Sequence, residues 1–479
     1  MERIRLTRID LRRFKNVRNG VIDLAKGHNA DSACNVLGVY GQNGSGKTAL
    51  IDSLQILKYL LSPFPCCLPN EIQEWAHYIN IESGSAELIW TFRIDGENGD
   101  TRLVEYSVTL QKCEDSMVAE NAVRSSGIQF VNERIAVTLT IGEERSRKAV
   151  LIDTDADGVF KPARRFRSLV SSDKKAKEDL IVAKRLSTER ARSFVFSSEF
   201  VDILARGAVE DNLLLKKIIE RLRYYGQYEL FAVRTLSTGL ISLNALPIPF
   251  TYEKPQFKST GQILLPLNED TLVPQNAFDT AQILINHMNV VLRELVPGLT
   301  IDLKNIGSKL MPDGSAGVLV QFVSLKNAQE IPLRYESEGI KKIISVLHLL
   351  IEVFNKPSTT VAIDELDSGV FEYLLGELLE IISDHGRGQL IFTSHNLRPL
   401  ETLHRDMIAF TTTNPDNRYI RFRNVKSTNN LRDFYYRDIV LGGQEEEVYS
   451  RTNNSDIYYA FMSAGELMNS ESKGDGNGS

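Results

Sequence analysis

Residues 36–48 read VLGVYGQNGSGKT, and this stretch decides the fold. Val36 to Tyr40 is the short apolar run of a buried strand. Gly41-Gln42-Asn43-Gly44-Ser45-Gly46 follows as a loop. Lys47-Thr48 then opens a segment of helical spacing that reaches Leu61, where Ser62-Pro63 stops it. Strand, G-x-x-x-x-G-K-T and helix in this order make a phosphate-binding loop in its required context. The glycines let backbone N–H groups turn inward around phosphate oxygens. The helix N-terminus adds the positive end of its dipole. Lys47 is placed to reach the β- and γ-phosphates of ATP, and the Thr48 hydroxyl to ligate Mg2+.

Further along, Val361-Ala362-Ile363-Asp364-Glu365 is an apolar strand ending in two acids. A buried strand that delivers Asp364 to the carboxyl edge of a sheet suits a Mg2+ shell, and Glu365 is placed to polarise an attacking water. Alone, the pair also reads as a strand end with solvated acids; the phosphate loop shifts the balance. Gln389 to Thr393 is another strand, followed by Ser394-His395. A histidine there can hydrogen-bond a γ-phosphate, although a lone histidine is more often structural. Ser337-Glu338-Gly339-Ile340-Lys341-Lys342 opens an apolar helix. It reads as a plain N-cap and equally as a second anion-binding helix end.

Working outward, the chain has 479 residues, 42% hydrophobic and 25% charged, which is globular composition with room for several domains. It excludes a disordered, collagen-like or coiled-coil-dominated chain. The net charge is -6, from 56 Lys and Arg against 62 Asp and Glu, so a basic coat is not a property of the whole chain. It is concentrated in Lys161–Arg192, where eleven Lys and Arg face four acids. That segment is +7 and leaves -13 for the remainder. It reads as a solvated helical face, as a nucleic-acid contact or as a docking surface for an acidic protein. Phe160, Phe166, Phe194 and Phe196 nearby read as core anchors rather than stacking platforms. Cys34, Cys66, Cys67 and Cys113 have neither disulfide-scaffold nor metal spacing, which points to a reducing, cytoplasmic setting. The N-terminus has no signal-peptide core, and no 18-residue apolar run suggests a membrane span.

The first third reads mostly as strands, with a hairpin of Ala86–Asp95 and Leu103–Lys112 joined by the turn-like Gly96–Asp100. Helical patterns fill 161–224, and Pro247, Pro249, Pro255, Pro266 and Pro274 mark loops. The last third alternates helices and strands, which implies a parallel sheet covered on both faces. The Gly/Ser/Asn-rich tail from Glu471 reads as disordered.

These motifs, in this order, resemble the ABC-type ATPase heads of the SMC, RecF and OLD group of AAA-family ATPases. The order is phosphate loop, S-x-G opening a helix, apolar strand with Asp364-Glu365, the loop Leu366-Asp367-Ser368, and His395 after the next strand. The opening Leu11-Arg12-Arg13-Phe14-Lys15-Asn16 is similar to the group's N-terminal "FK" signature. The resemblance implies an α/β fold: a split P-loop ATPase head, with a mixed sheet flanked by helices, an antiparallel β lobe and a helical insertion. Its halves are expected over 1–150 and 296–425, with a largely helical insertion or oligomerisation region over 151–295 and a C-terminal extension over 426–479. It also implies a composite site for ATP and Mg2+ in a homo-oligomer, a dimer or larger. Gly41, Asn43, Gly44, Ser45, Gly46, Lys47, Thr48, Asp364, Glu365 and His395 would act from one protomer. Ser337 and Gly339 of the opposing copy would close on the γ-phosphate, with Asp367 crossing the interface. The group's Q-loop glutamine has no clear place; Gln55 and Gln73 are the candidates. Ser-Glu-Gly in place of the transporter signature fits the SMC-like branch and implies no membrane partner.

The segment after the last head-like strands shows no Toprim or H-N-H nuclease pattern. The chain therefore resembles the ATPase subunit of PARIS antiphage defence, with the Septu-type ATPase next. In that reading it is a sensor and scaffold that holds and releases a separate effector, a Toprim or HNH nuclease, on a phage-derived trigger. The alternative is a RecF-like DNA-binding repair protein that contacts DNA through Lys174, Lys175 and Lys177.

Overall fold

The computed structural model describes the chain apart from residues 1, 25–33, 64–66, 68, 97–98, 114–126, 156–157, 172–174, 207–209, 235–240, 242–244, 255–256, 268–269, 312–313, 328, 424–429 and 475–479. At its centre is a six-stranded core sheet in the order 419–420, 408–411, 36–40, 389–393, 360–363, 230–233. All neighbours are parallel except the short strand Tyr419–Ile420 at one edge. The strands are apolar without interruption because both faces are covered. Leu37, Val39, Ala362 and Ile391 point to one core, shared with the helix Lys47–Leu61. Val36, Tyr40, Val361, Ile363, Leu390 and Phe392 point to a second, shared with the helices Glu338–Asn355 and Glu372–His385.

A seven-stranded antiparallel sheet covers the first core from outside. Its path runs 17–23, 3–14, 85–95, 100–112, 128–141, 144–145, and 149–153 pairs back on 128–141. The expected hairpin is present as Ser85–Asp95 and Asp100–Lys112. Its alternating pattern places Ala86, Leu88, Trp90, Phe92 and Ile94 inward, all fully buried. The helix Lys47–Leu61 thus lies between two sheets. Gln389 joins them: its side-chain amide donates to Leu6 O at 2.9 Å and accepts from Leu6 N at 2.8 Å, as an adjacent strand would.

The segment 151–295, expected as mainly helical, contains helices at Ala163–Ser171, Ala176–Glu189, Ser198–Arg206 and Glu210–Tyr228. It also supplies Leu230–Val233, the edge strand of the core sheet. Phe160, Phe194 and Phe196 are buried in the first core, with Phe166 packed against it. The buried Glu133 ties this region to the lateral sheet by accepting from Ser193 Oγ, Tyr106 OH, Phe194 N and Val195 N.

The proline-rich stretch differs from its reading as loop. Ala245–Lys254 and Phe257–Pro266 pair as an antiparallel ribbon, and Pro247 and Pro249 lie within the first strand. Alternate positions of a two-stranded ribbon need no N–H for the ladder, so two prolines spaced by two fit one outward side. Pro255 lies outside the described residues. The helix Gln275–Leu295 then covers a four-stranded sheet of 271–274, 316–326, 299–310 and 329–332. Ile343, Ile344 and Leu347 of the helix Glu338–Asn355 complete that third core. The helices Leu431–Leu441 and Asn454–Gly474 follow the core sheet. The latter continues past Glu471, and the last residues of the expected tail lie outside the described set. No helix among the described residues is long and apolar enough to cross a membrane.

Replacing Gln389 with Leu keeps the volume but strands the Leu6 N–H and C=O in a dry interface. Q389L should lower the free energy of unfolding by about 2–4 kcal/mol, read by urea denaturation; a loss within error of zero would show that the amide latch does not hold the sheets together.

Candidate functional site

The parallel pairing brings the carboxyl ends of 36–40, 389–393 and 360–363 to one edge. At that edge the phosphate loop leaves the sheet with Gly41 at φ 150°, Gly44 at 73° and Gly46 at 97°. Gly41 also has a packing reason: a Cβ there would fall 1.8 Å from Thr411 Oγ1. Gly46 caps the helix Lys47–Leu61 in left-handed conformation, with no capping side chain and no acid in the first turn. The first N–H groups of this helix are therefore left for an anion. Lys47 Nζ donates to Gly41 O at 2.8 Å and Gln42 O at 3.0 Å, folding the side chain back over the loop. Its burial lowers its basicity, while Asp364, Glu365 and Asp367 act in the opposite sense. Ser45 Oγ donates to Gln42 O at 2.6 Å and bonds Thr411 Oγ1. Asn43, Gly44 and Thr48 are exposed on the rim.

Asp364 ends the strand Thr360–Ile363 and is 1% exposed. Its N–H donates to Val233 O at 2.9 Å, and its Oδ1 accepts from Thr393 Oγ1 at 2.5 Å. Thr393 Oγ1 accepts in turn from Glu365 N at 2.8 Å, so one hydroxyl orients both acids of the pair. Glu365 is half-buried with φ 49°. A left-handed backbone at a non-glycine residue is strained by about 1–2 kcal/mol, a cost that clusters at functional turns.

Asp367, expected to cross to a second copy, is bonded within its own chain. Its Oδ2 accepts from His395 N at 3.1 Å and Asn396 N at 2.9 Å, and its Oδ1 has no partner among the described residues. His395 is exposed at the same edge. Partial burial and the Lys47 ammonium hold its imidazole below the ordinary value, against the pull of Asp367, Glu365 and Asp364. Lys47 and His395 therefore share one neighbourhood.

Ser337 is the N-cap of the helix Glu338–Asn355, its Oγ accepting from Ile340 N at 3.3 Å. It is exposed, whereas Gly339 is buried against the loop after Asp367. A Cβ on Gly339 would lie 2.0 Å from Gly369 O, so this glycine is required by close backbone approach.

Several groups around the loop escaped the sequence reading. Asn16 Nδ2 donates to Gly44 O, Tyr419 OH to Gly46 O at 2.8 Å, and Arg418 joins Asn16 O to Thr412 O. The "FK" residue Lys15, at φ 53°, pairs with the buried Asp52 of the phosphate-loop helix and lies 4.0 Å from the Tyr78 ring centre. Gln55 sits on that helix with Nε2 3.1 Å from Cys67 Sγ, and Gln73 is exposed in Pro69–Glu74. Arg234 follows the edge strand at the level of Asp364 and pairs with Glu71. Only motif order was available to find such partners; their contacts join residues up to 402 positions apart.

Residues 36–400 match the family model described as "AAA domain, putative AbiEii toxin, Type IV TA system". The chain belongs to this AAA family. No curated protein matches it. Among solved structures it is similar to an SMC head domain from Thermotoga maritima, at 15% identity and TM-score 0.37, covering 88% of this chain and 99% of that one. An Smc head with coiled coil and joint from Pyrococcus yayanosii matches at 11% identity and TM-score 0.40, covering 90% and 100%. RecF bound to ATP matches at 13% identity and TM-score 0.31, covering 82% and 94%.

The site of this AAA-family chain fits Mg-ATP by its donor set. A loop of inward N–H groups and a lysine suit phosphates. The Thr48 hydroxyl and the Asp364 carboxylate are hard oxygen donors of the kind Mg2+ takes alongside phosphate oxygens. Among the described residues no group of three His, Cys, Asp or Glu side chains is gathered as a metal site. The basic segment is partly committed to its own chain: Lys161 pairs with Asp155, Lys184 donates to Gly158 O at 2.8 Å, Arg185 pairs with Glu189 at 2.9 Å, and Arg192 lies over the Tyr59 ring. Lys174 lies outside the described residues.

Lys47→Ala should weaken ATP binding at least about tenfold, measured with a fluorescent ATP analogue in Mg2+ buffer. Unchanged affinity would remove Lys47 from the phosphate site.

Proposed function

We propose that this chain binds ATP and hydrolyses it to ADP and phosphate at a site completed by a second copy, and that it uses the cycle to hold and release a separate effector protein. The observation that carries the reading is the convergence of Lys47, Thr48, Asp364, Glu365 and His395 on one carboxyl edge of a parallel sheet. In the cycle, the loop N–H groups and Lys47 hold the phosphates, and Thr48 with Asp364 would hold Mg2+, which would supply neutralising charge there. Glu365, kept in place through its backbone by Thr393, orients and polarises the attacking water. His395 donates a hydrogen bond toward the γ-phosphate. The exposed Ser337 end of the helix Glu338–Asn355 supplies a second cap for that phosphate from the opposing copy, so ATP joins two chains and hydrolysis parts them.

A separate partner is supported by the helix Asn454–Gly474, which leaves Tyr458, Tyr459 and Phe461 exposed, the last at 77%. The reading extends to a sensor and scaffold of antiphage defence whose effector is a Toprim or HNH nuclease. The family description favours a second reading, in which the chain is itself the toxin of a toxin–antitoxin pair. Growth arrest on expression of this chain alone, relieved by Lys47→Ala, would select the toxin reading. A RecF-like DNA role requires salt-dependent DNA affinity that falls when Lys175 and Lys177 are neutralised.

Glu365→Gln should retain ATP binding and lower kcat by at least about a hundredfold, with ATP-bound protein accumulating as dimers or larger assemblies in light scattering. Rapid multiple-turnover hydrolysis by E365Q would end the role given to Glu365. A strictly monomeric, ATP-loaded E365Q protein would end the composite site.

A further inference from the structure

Lys342 is among the largest fully buried side chains of the molecule, at 2% exposure. A lysine is rarely so buried without counter-charge, because an unpaired ammonium in a dry interior loses its hydration with nothing in return. Its place in the fold supplies that counter-charge. The helix Glu338–Asn355 packs on the strands Thr360–Ile363 and Gln389–Thr393, which end at Asp364 and Thr393. Gly339, at the start of this helix, abuts Gly369 of the turn that carries the acids. Lys342 stands three residues on from Gly339 and so shares its face. Burial lowers the basicity of Lys342, and the charges that oppose it are Asp364, Glu365 and Asp367, the same three that oppose it at Lys47. Its neighbour Lys341 is committed elsewhere, donating to Arg334 O at 2.7 Å.

Three carboxylates therefore crowd one tight turn between two lysines. Lys47 sits at the phosphate loop, its ammonium folded back onto Gly41 O and Gln42 O. Lys342 is on a packed helix and stays. We infer that Lys342 is a positioning residue of the nucleotide site: its buried ammonium is the resident counter-ion of the Asp364–Asp367 turn, supplied by the same helix that Ser337 caps. The consequence is electrostatic. Lys342 holds the acid turn together before the nucleotide enters and weakens the turn's attraction for a divalent cation, so Mg2+ is taken up with phosphates rather than alone. This role rests on the nucleotide-site reading above, but the pairing itself does not require a nucleotide.

The test is a double-mutant cycle in the nucleotide-free protein, followed by a Mg2+ titration. Lys342→Met should lower the thermal midpoint, and that loss should shrink to about half or less when Asp364→Asn or Glu365→Gln is also present, since the charge left unpaired is then removed. Lys342→Arg should keep most of the wild-type midpoint. If K342M alone does not fold, recovery of folded protein in K342M/D364N is the expected rescue. In the second measurement, the Mg2+ concentration that half-saturates binding of a non-hydrolysable ATP analogue should fall about tenfold in K342M, because a cation beside the acids has been removed. Additive losses in the cycle, or a failure of K342R and of both double variants to fold, would assign Lys342 to packing alone and overturn the inference. An unchanged or raised Mg2+ requirement in K342M would overturn the cation-screening role. A coupled cycle in a wild-type chain that binds no nucleotide would instead overturn the nucleotide-site reading and leave the ion cluster standing.

Discussion

Parallel pairing of Gln389–Thr393 between Val36–Tyr40 and Thr360–Ile363 is the constraint on which the rest of the molecule depends. Parallel strands end on the same side, so the phosphate loop leaves the sheet at the same edge as the Asp364–Glu365 pair and His395, although more than 300 residues separate it from either. The register is held by burial on both faces. A one-residue slip would reverse Val36, Val361 and Leu390 against Leu37, Ala362 and Ile391, exchanging the two cores. Thr393 then converts register into chemistry, since its single hydroxyl orients Asp364 and the Glu365 backbone.

Charge at this edge is dense and poorly solvated. Asp364, Glu365 and Asp367 meet Lys47 and Lys342, and behind them the buried Asp52 meets Lys15. In such surroundings ion pairs contribute little net stability, but removing one partner is costly, because the other charge remains buried. The backbone contact of Gly339 with Gly369 joins the Ser337 end of its helix to the same turn. What happens at Ser337 is thereby mechanically connected to the acids.

The lateral sheet and the segment after it give the head its particular form. The phosphate-loop helix is enclosed between two sheets latched by Gln389, which leaves only its N-terminal end open. The segment between residues 150 and 295 is not an appendage: it contributes an edge strand to the core sheet, and Glu133 binds its 193–195 backbone into the interior. AAA-family membership describes the machine, and the surfaces decide its use.

The sequence alone determined the strand, loop and helix of the P-loop class and the two alternating strands of the hairpin, because each is written in short-range spacing, and it brought Lys47, Thr48, Asp364 and Glu365 forward as candidates. It also brought Ser337 forward as a cap. The proline ribbon was illegible, since proline opposes a strand in general and is tolerated at the outer side of a two-stranded one. The edge strand Leu230–Val233 was illegible as well, because four apolar residues carry no periodicity. Only the tertiary structure decided that Asp367 closes on its own His395 loop, that Lys15 belongs to Asp52, that Arg234 pairs with Glu71, and that Lys342 is buried against the acid turn. Those are relations between distant segments. A chain can specify them only through the packing that brings the segments together, which is why they appear in the fold and not in any stretch of the sequence.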